Sequence, residues 1–194
     1  MKKRTIIQNT FLFSGCFLFF VTIFTIFASC ILSFSSFKKQ AQAYLRQTAQ
    51  KKQLEFQASL NAQIVLVLQL TKSPAVRDYL INPSNKNLER TALKEFAAYK
   101  KSFLADTIFW ASDANKEFWS DLEYAYTVDT SNPENYWYKM TLEETEVYNF
   151  NINYNSVLNK TLLWLNAVVR DESGKPVGIL GTGIPLSDFI NNMY

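Results

Sequence analysis

The sequence predicts an α+β protein, with helices in its first half and a meandering antiparallel sheet in its second. Three observations carry this expectation. Residues 38–71 contain no Gly or Pro, and they set Phe56, Leu60, Ile64, Val67 and Leu68 on one stripe at helical spacing. From residue 107 the apolar pattern changes to short runs rich in aromatic and β-branched residues: "TIFWAS", "EFWSD", "VYNFNINYN", "TLLWLNAVVRD" and "PVGILGTGIPL". Two pairs of these runs are separated by "DANK" (113–116) and "ESGK" (172–175), both with hairpin-turn chemistry.

The first element is a membrane anchor. Residues 5–37 carry no charged side chain, and their centre, "FLFSGCFLFFVTIFTIFASCILSF", is apolar or small and polar. A bilayer core of ~30 Å needs ~20 such residues in a helix. Lys2, Lys3 and Arg4 precede the run, and Lys38 and Lys39 follow it. The denser positive charge lies at the N-terminus, so that end stays in the cytoplasm and the rest is exported across the cytoplasmic (inner) membrane. The length of the run and the apolar "ILSF" after Cys30 favour a retained anchor over a cleaved signal sequence or a lipidated Cys30. No second such run follows, so a single crossing is expected.

The helix continues from the membrane through residues 38–71. Its first part is polar and its second part carries the apolar stripe that a core would grip. Its exposed surface is the expected place for a homodimer or receptor partner to pair. "KSPAV" ends it, because Pro74 disfavours a helical residue before it and can open the next helix. A short helix then runs to about Leu80, and "NPSN" (82–85) is a turn. A third helix follows over 86–103, with Leu88, Leu93, Phe96 and Ala97 facing inward. Five strands come after it, and Trp110 and Trp119 are expected to pack across the first two. The long helix covers one face of this sheet. The segment 122–146 covers the other and leaves a cavity beneath it.

Composition narrows the function. The chain has 194 residues and no histidine, so no imidazole is available for acid–base work or zinc ligation. With Lys2, Lys3 and Arg4 set aside, basic and acidic residues balance at 17 each. A neutral exported part has no cationic field for nucleic acid. The carboxylates scatter over turns and helix surfaces, so an enzyme is not expected, and neither is a cofactor or a metal.

Several stretches resemble a known family. "IFWASDANKEFWSD", "NYWYKM", "NFNINYN" and "LLWLNAVVRDESGKPVGILGTGIPLSDFI" together are similar to Cache domains, above all the membrane-distal lobe of double-Cache sensors on methyl-accepting chemotaxis receptors. The likeness covers about 105–190 and includes the spacing of Asp171, Gly174, Lys175, Gly178 and Gly181. It implies a PAS-like five-stranded antiparallel sheet, a small extracellular ligand, and signalling by helix movement through the membrane. Domain limits follow: tip and anchor 1–37, helices 38–104, sensor lobe 105–190, and the start of a further helix at 187–194 with Ser187 as its N-cap. Such receptors continue into an output module, so a truncated receptor is expected. The alternative is a non-catalytic, membrane-tethered interaction or structural module.

The resemblance also names candidate site residues. Amino-acid-binding members carry R-x-W-Y, and Trp137 and Tyr138 match it. Asn135 stands where the Arg would hold a ligand carboxylate, and Gly183 where an Asp would meet the ligand ammonium. With both charged clamps missing, the expected ligand is uncharged or weakly charged. From the residues themselves, strand alternation puts Asn149, Asn151, Asn153 and Asn155 on one face. Asn149 and Asn151 are expected at the cavity, and Asn153 and Asn155 at solvent or the following turn; the alternative is an outer edge strand whose Asn face meets water. Asn166 interrupts an apolar strand and is either a cavity donor or bonded to neighbouring backbone. Gly181 and Gly183 share a face and leave room for a ligand or a packed helix.

Overall fold

The computed structural model describes residues 2–103, 107–155 and 159–185. The helix expected at 187–194 lies outside them. The chain forms two compact units, residues 1–51 and 52–194. The described residues of the first are all α-helical and belong to α1 (Lys2–Leu70), and their large apolar side chains from Phe11 to Phe37 are exposed. Among the described residues, this is the one helix long and apolar enough to cross a membrane.

In the second unit α1 ends at Leu70, and Val67 and Leu70 are fully buried. α2 (Pro74–Ile81) starts with Pro74 at its first turn and Ser73 as N-cap, whose Oγ accepts from the Val76 N–H at 3.3 Å. α3 (Lys86–Lys100) is capped by Asn85, which accepts from the Asn87 and Leu88 N–H groups. Its core contacts are Ala92 and Phe96, with Leu88 and Leu93 half-buried beside them.

The sheet has six strands rather than five. β1 (Phe109–Ser112), β2 (Glu117–Ser120), β3 (Glu123–Thr127), β4 (Tyr148–Asn155), β5 (Lys160–Arg170) and β6 (Pro176–Pro185) lie in the order β3-β2-β1-β6-β5-β4, and every neighbouring pair is antiparallel. The additional strand is β3, at the start of the segment expected to cover the sheet. It turns back from β2 through Asp121 (φ 55°) and Leu122 (φ 76°), both left-handed, as a two-residue hairpin of the primed kind requires. Leucine rarely adopts that conformation. Here its side chain packs on the helix-side core, which offsets the cost.

Successive strand residues feed two cores. Trp110, Leu165, Ala167, Val169 and Leu180 join α1, α2 and α3 on one side. Phe96 stacks on Trp110 at 3.9 Å, and Trp110 on its cross-strand partner Trp119 at 5.7 Å, so the tryptophans pack as expected. Phe109, Ala111, Leu162, Trp164 and Ile179 belong to the opposite side. A lid covers that side: a 3₁₀ turn (Pro133–Asn135), the short helix α4 (Tyr136–Lys139), and a π turn (Met140–Glu144). β4 is one of the two edge strands, opposite β3. It lacks charge, proline and any register shift against β5, and it exposes Tyr148, Phe150, Ile152 and Tyr154.

Gly181 is fixed by close approach. A Cβ there would fall on the Leu165 carbonyl oxygen and lie 2.8 Å from the Phe109 ring. Gly181→Ala is therefore expected to cost about 3 kcal/mol or more, read as a lower melting temperature of the full chain in detergent. An unchanged melting temperature would contradict this packing.

Candidate ligand-binding site

An aromatic box lies between sheet and lid. Phe109 (β1), Phe118 (β2), Tyr126 (β3), Trp137 (α4) and Trp164 (β5) wall a cavity of about 20 Å³, and Asn153 and Asn166 supply its polar edge. That volume accommodates about one water. The rings meet edge to face: Phe109 to Trp164 at 5.1 Å, and Phe118 to Trp137 at 5.8 Å. Among the described residues, no Asp, Glu, Lys or Arg lines the cavity.

The asparagines of β4 connect this box to the lid. Asn149, Asn151 and Asn153 pair with Asn166, Trp164 and Leu162 of β5, and their side chains face the lid. Asn149 Nδ2 donates to Thr141 Oγ1 at 3.0 Å and to Thr145 Oγ1 at 2.6 Å. Those hydroxyls donate in turn to the Trp137 and Met140 carbonyls. Asn166 is buried, and its Nδ2 donates to Asn149 Oδ1 at 2.8 Å and Asn151 Oδ1 at 2.6 Å. Among the described residues it is thus bonded to side chains rather than to neighbouring backbone.

The sequence-derived candidates divide into groups. Trp137 and Asn166 line the cavity, and Asn149 and Asn151 hold Asn166 from the next strand. Asn153 lines the cavity rather than serving the turn, and it donates to the Glu134 carbonyl at 3.3 Å. Gly183 does leave room, but the Trp164 ring fills it: a Cβ there would sit 3.0 Å from that ring and 2.8 Å from Leu162. Asn135 faces its own loop and donates to the Asp129 carbonyl at 2.9 Å. Phe109, Phe118, Tyr126 and Trp164 escaped the sequence reading as wall residues. Strand parity alone would have put Phe109 and Trp164 on the lid face.

Tyr138 serves a different hollow from Trp137. Its ring helps line an open depression of about 310 Å³ with Asp113, Lys116, Lys139, Glu143 and Lys175. Its hydroxyl donates to Asp113 Oδ1 at 2.9 Å, and Lys116 Nζ lies 2.9 Å from the same oxygen and 5.4 Å from the ring centroid. Burial, then the Asp113 charge and the hydrogen bond to it, push the phenol above its ordinary value. Burial opposes the charge on Asp113. The hydrogen bonds from Lys116 and Tyr138, with the Lys116 and Lys175 charges, outweigh it and hold the carboxyl below its ordinary value of 3.8.

Solved structures share this fold. The ligand-binding domain of the Pseudomonas fluorescens chemoreceptor CtaA, in complex with L-serine, superposes with a TM-score of 0.57 at 17% identity, covering 80% of this chain and 63% of that one. The ligand-binding domain of the Pseudomonas aeruginosa PAO1 amino acid chemoreceptor PctC, with GABA, gives 0.58 at 18%, covering 77% and 66%. The sensory domain of the Campylobacter jejuni chemoreceptor Tlp3, with isoleucine bound, gives 0.57 at 17%, covering 76% and 59%. The chain thus has the fold of chemoreceptor ligand-binding domains and spans about three fifths of the length of those structures. No protein-family model matches the sequence. No curated protein matches it either.

The depressed Asp113 value has a pH consequence. A carboxyl whose folded pKa lies below its unfolded one stabilises the fold above the unfolded value, and that contribution is lost as pH falls through the folded value. Wild type should lose melting temperature relative to Asp113→Asn as pH falls from about 5 to below 3.8. Parallel melting curves for the two proteins across that range would refute the assignment.

Proposed function

We propose that this chain is the extracytoplasmic sensor lobe of a chemotaxis or signal-transduction receptor, anchored by one N-terminal membrane helix and binding a small molecule without catalysis. The observation that carries the reading is the aromatic and carboxamide box beneath the lid, in a fold otherwise found in chemoreceptor ligand-binding domains. Binding rather than turnover fits a lining that, among the described residues, holds no carboxylate, lysine or arginine to move protons. Trp137, Asn149, Asn151 and Asn166 are the proposed contact and support residues. Tyr138 and Asn135 brace the lid, and Gly183 makes room for Trp164. The N-terminus stays in the cytoplasm and the lobe lies outside the cytoplasmic membrane, with copies or partner receptors pairing along α1.

The small cavity favours one competing reading, a tethered interaction module with no ligand. A thermal-shift screen of the full chain in detergent against a metabolite library separates the two. The sensor reading expects stabilisation by at least one compound, lost in Trp164→Ala; silence across the library sinks it. Orientation has its own test. A Cys placed at Ser173, on the β5–β6 turn, in a chain with Cys16 and Cys30 replaced, should react with a membrane-impermeant maleimide on intact spheroplasts. Labelling only after lysis would reverse the topology.

A further inference from the structure

β4 reads nearly the same in both directions. From Tyr148 to Tyr154 the order is Tyr-Asn-Phe-Asn-Ile-Asn-Tyr, with Asn151 at the centre. Tyrosines close both ends, and Phe150 and Ile152 flank the middle. No Asp, Glu, Lys or Arg interrupts the stretch. The strand is also placed to use that symmetry. It pairs with β5 along its whole length, and among the described residues no strand lies on its other side. The apolar row is open to solvent, with Ile152 57% and Tyr154 54% exposed.

Residues directly opposite each other in an antiparallel pair share a face of the sheet. A two-fold axis makes both halves of an interface identical, so a strand that pairs with its own copy must complement itself. An axis at Asn151 sets Tyr148 opposite Tyr154 of the second copy and Phe150 opposite its Ile152. On the other face Asn149 meets Asn153, and Asn151 meets Asn151. Apolar groups thus oppose apolar groups, and no like charges collide. The asparagines keep their own-chain partners, so the apolar row and the free backbone groups of the edge carry the contact. An axis at Ile152 would leave Tyr148 without a partner on the strand, and one at Phe150 would leave Tyr154 without one.

We propose that β4 is a self-association surface, on which two copies of this chain pair antiparallel about a two-fold axis at Asn151. A peptide from another protein would need only the apolar row. A near-palindrome is required only where the strand meets itself. This pairing is separate from contacts along α1, and it holds whether or not the lobe binds a ligand.

Light scattering on the full chain in detergent tests it. Wild type should shift from monomer to dimer as concentration rises. Phe150→Lys with Ile152→Lys sets lysine against lysine at two places and should abolish the dimer. Phe150→Lys with Ile152→Glu sets lysine against glutamate and should restore it. A wild type that stays monomeric overturns the proposal. So does a dimer that survives the double lysine change, because it is then held elsewhere. Failure of the lysine–glutamate chain to recover overturns the register. If those variants do not fold, oxidative cross-linking decides, in a chain with Cys16 and Cys30 replaced. Phe150→Cys with Ile152→Cys should yield a disulfide-linked dimer, and either change alone should yield far less. Equal cross-linking of the Ile152→Cys chain overturns the axis at Asn151, and no cross-linking of the double variant overturns the pairing.

Discussion

A sheet whose central strands are apolar on both sides cannot leave either side in water. Phe109 and Trp110 are adjacent in sequence and fully committed to opposite cores, as are Ile179 and Leu180. The three helices before the sheet supply only one covering layer. The second has to come from the chain between β3 and β4, which explains why that segment carries Trp137 and Tyr138 and ends with threonines in reach of Asn149. The lid is thus a requirement of burial before it is a functional part. Its cavity is the gap that remains where aromatic rings meet at right angles instead of interlocking.

Much of this was readable in the sequence, for physical reasons. Helix stripes and strand alternation follow from backbone periodicity, so α1, α2, α3 and five strands were legible, and so was the shared face of Asn149 and Asn151. β3 was not, because its hairpin turns through Asp121 and Leu122 without the glycine that usually marks such a turn. The meaning of Gly183 was also hidden. A missing side chain shows that room exists, whereas the orientation of Trp164 decides what occupies it. The split between Trp137 and Tyr138 depends on a helical turn that sends neighbours to different hollows, and a two-residue motif does not encode that.

Polarity is arranged differently in the two hollows. Beside Tyr138, charges balance one another at an open surface, where water screens what is unmatched. Beneath Trp137 the polar groups are amides and hydroxyls in a fixed sequence of donors and acceptors. Such a network keeps its state across ordinary pH, because none of its members titrates there.

β4 has a further implication. Natural sheets guard their rims with lysines, prolines or kinks. This rim strand has none of these, and it turns four large apolar side chains outward. Two such rims brought together could anneal into one longer ribbon without opposing charges to stop them. Storage life of the purified material would then be governed by dilution more than by heat resistance.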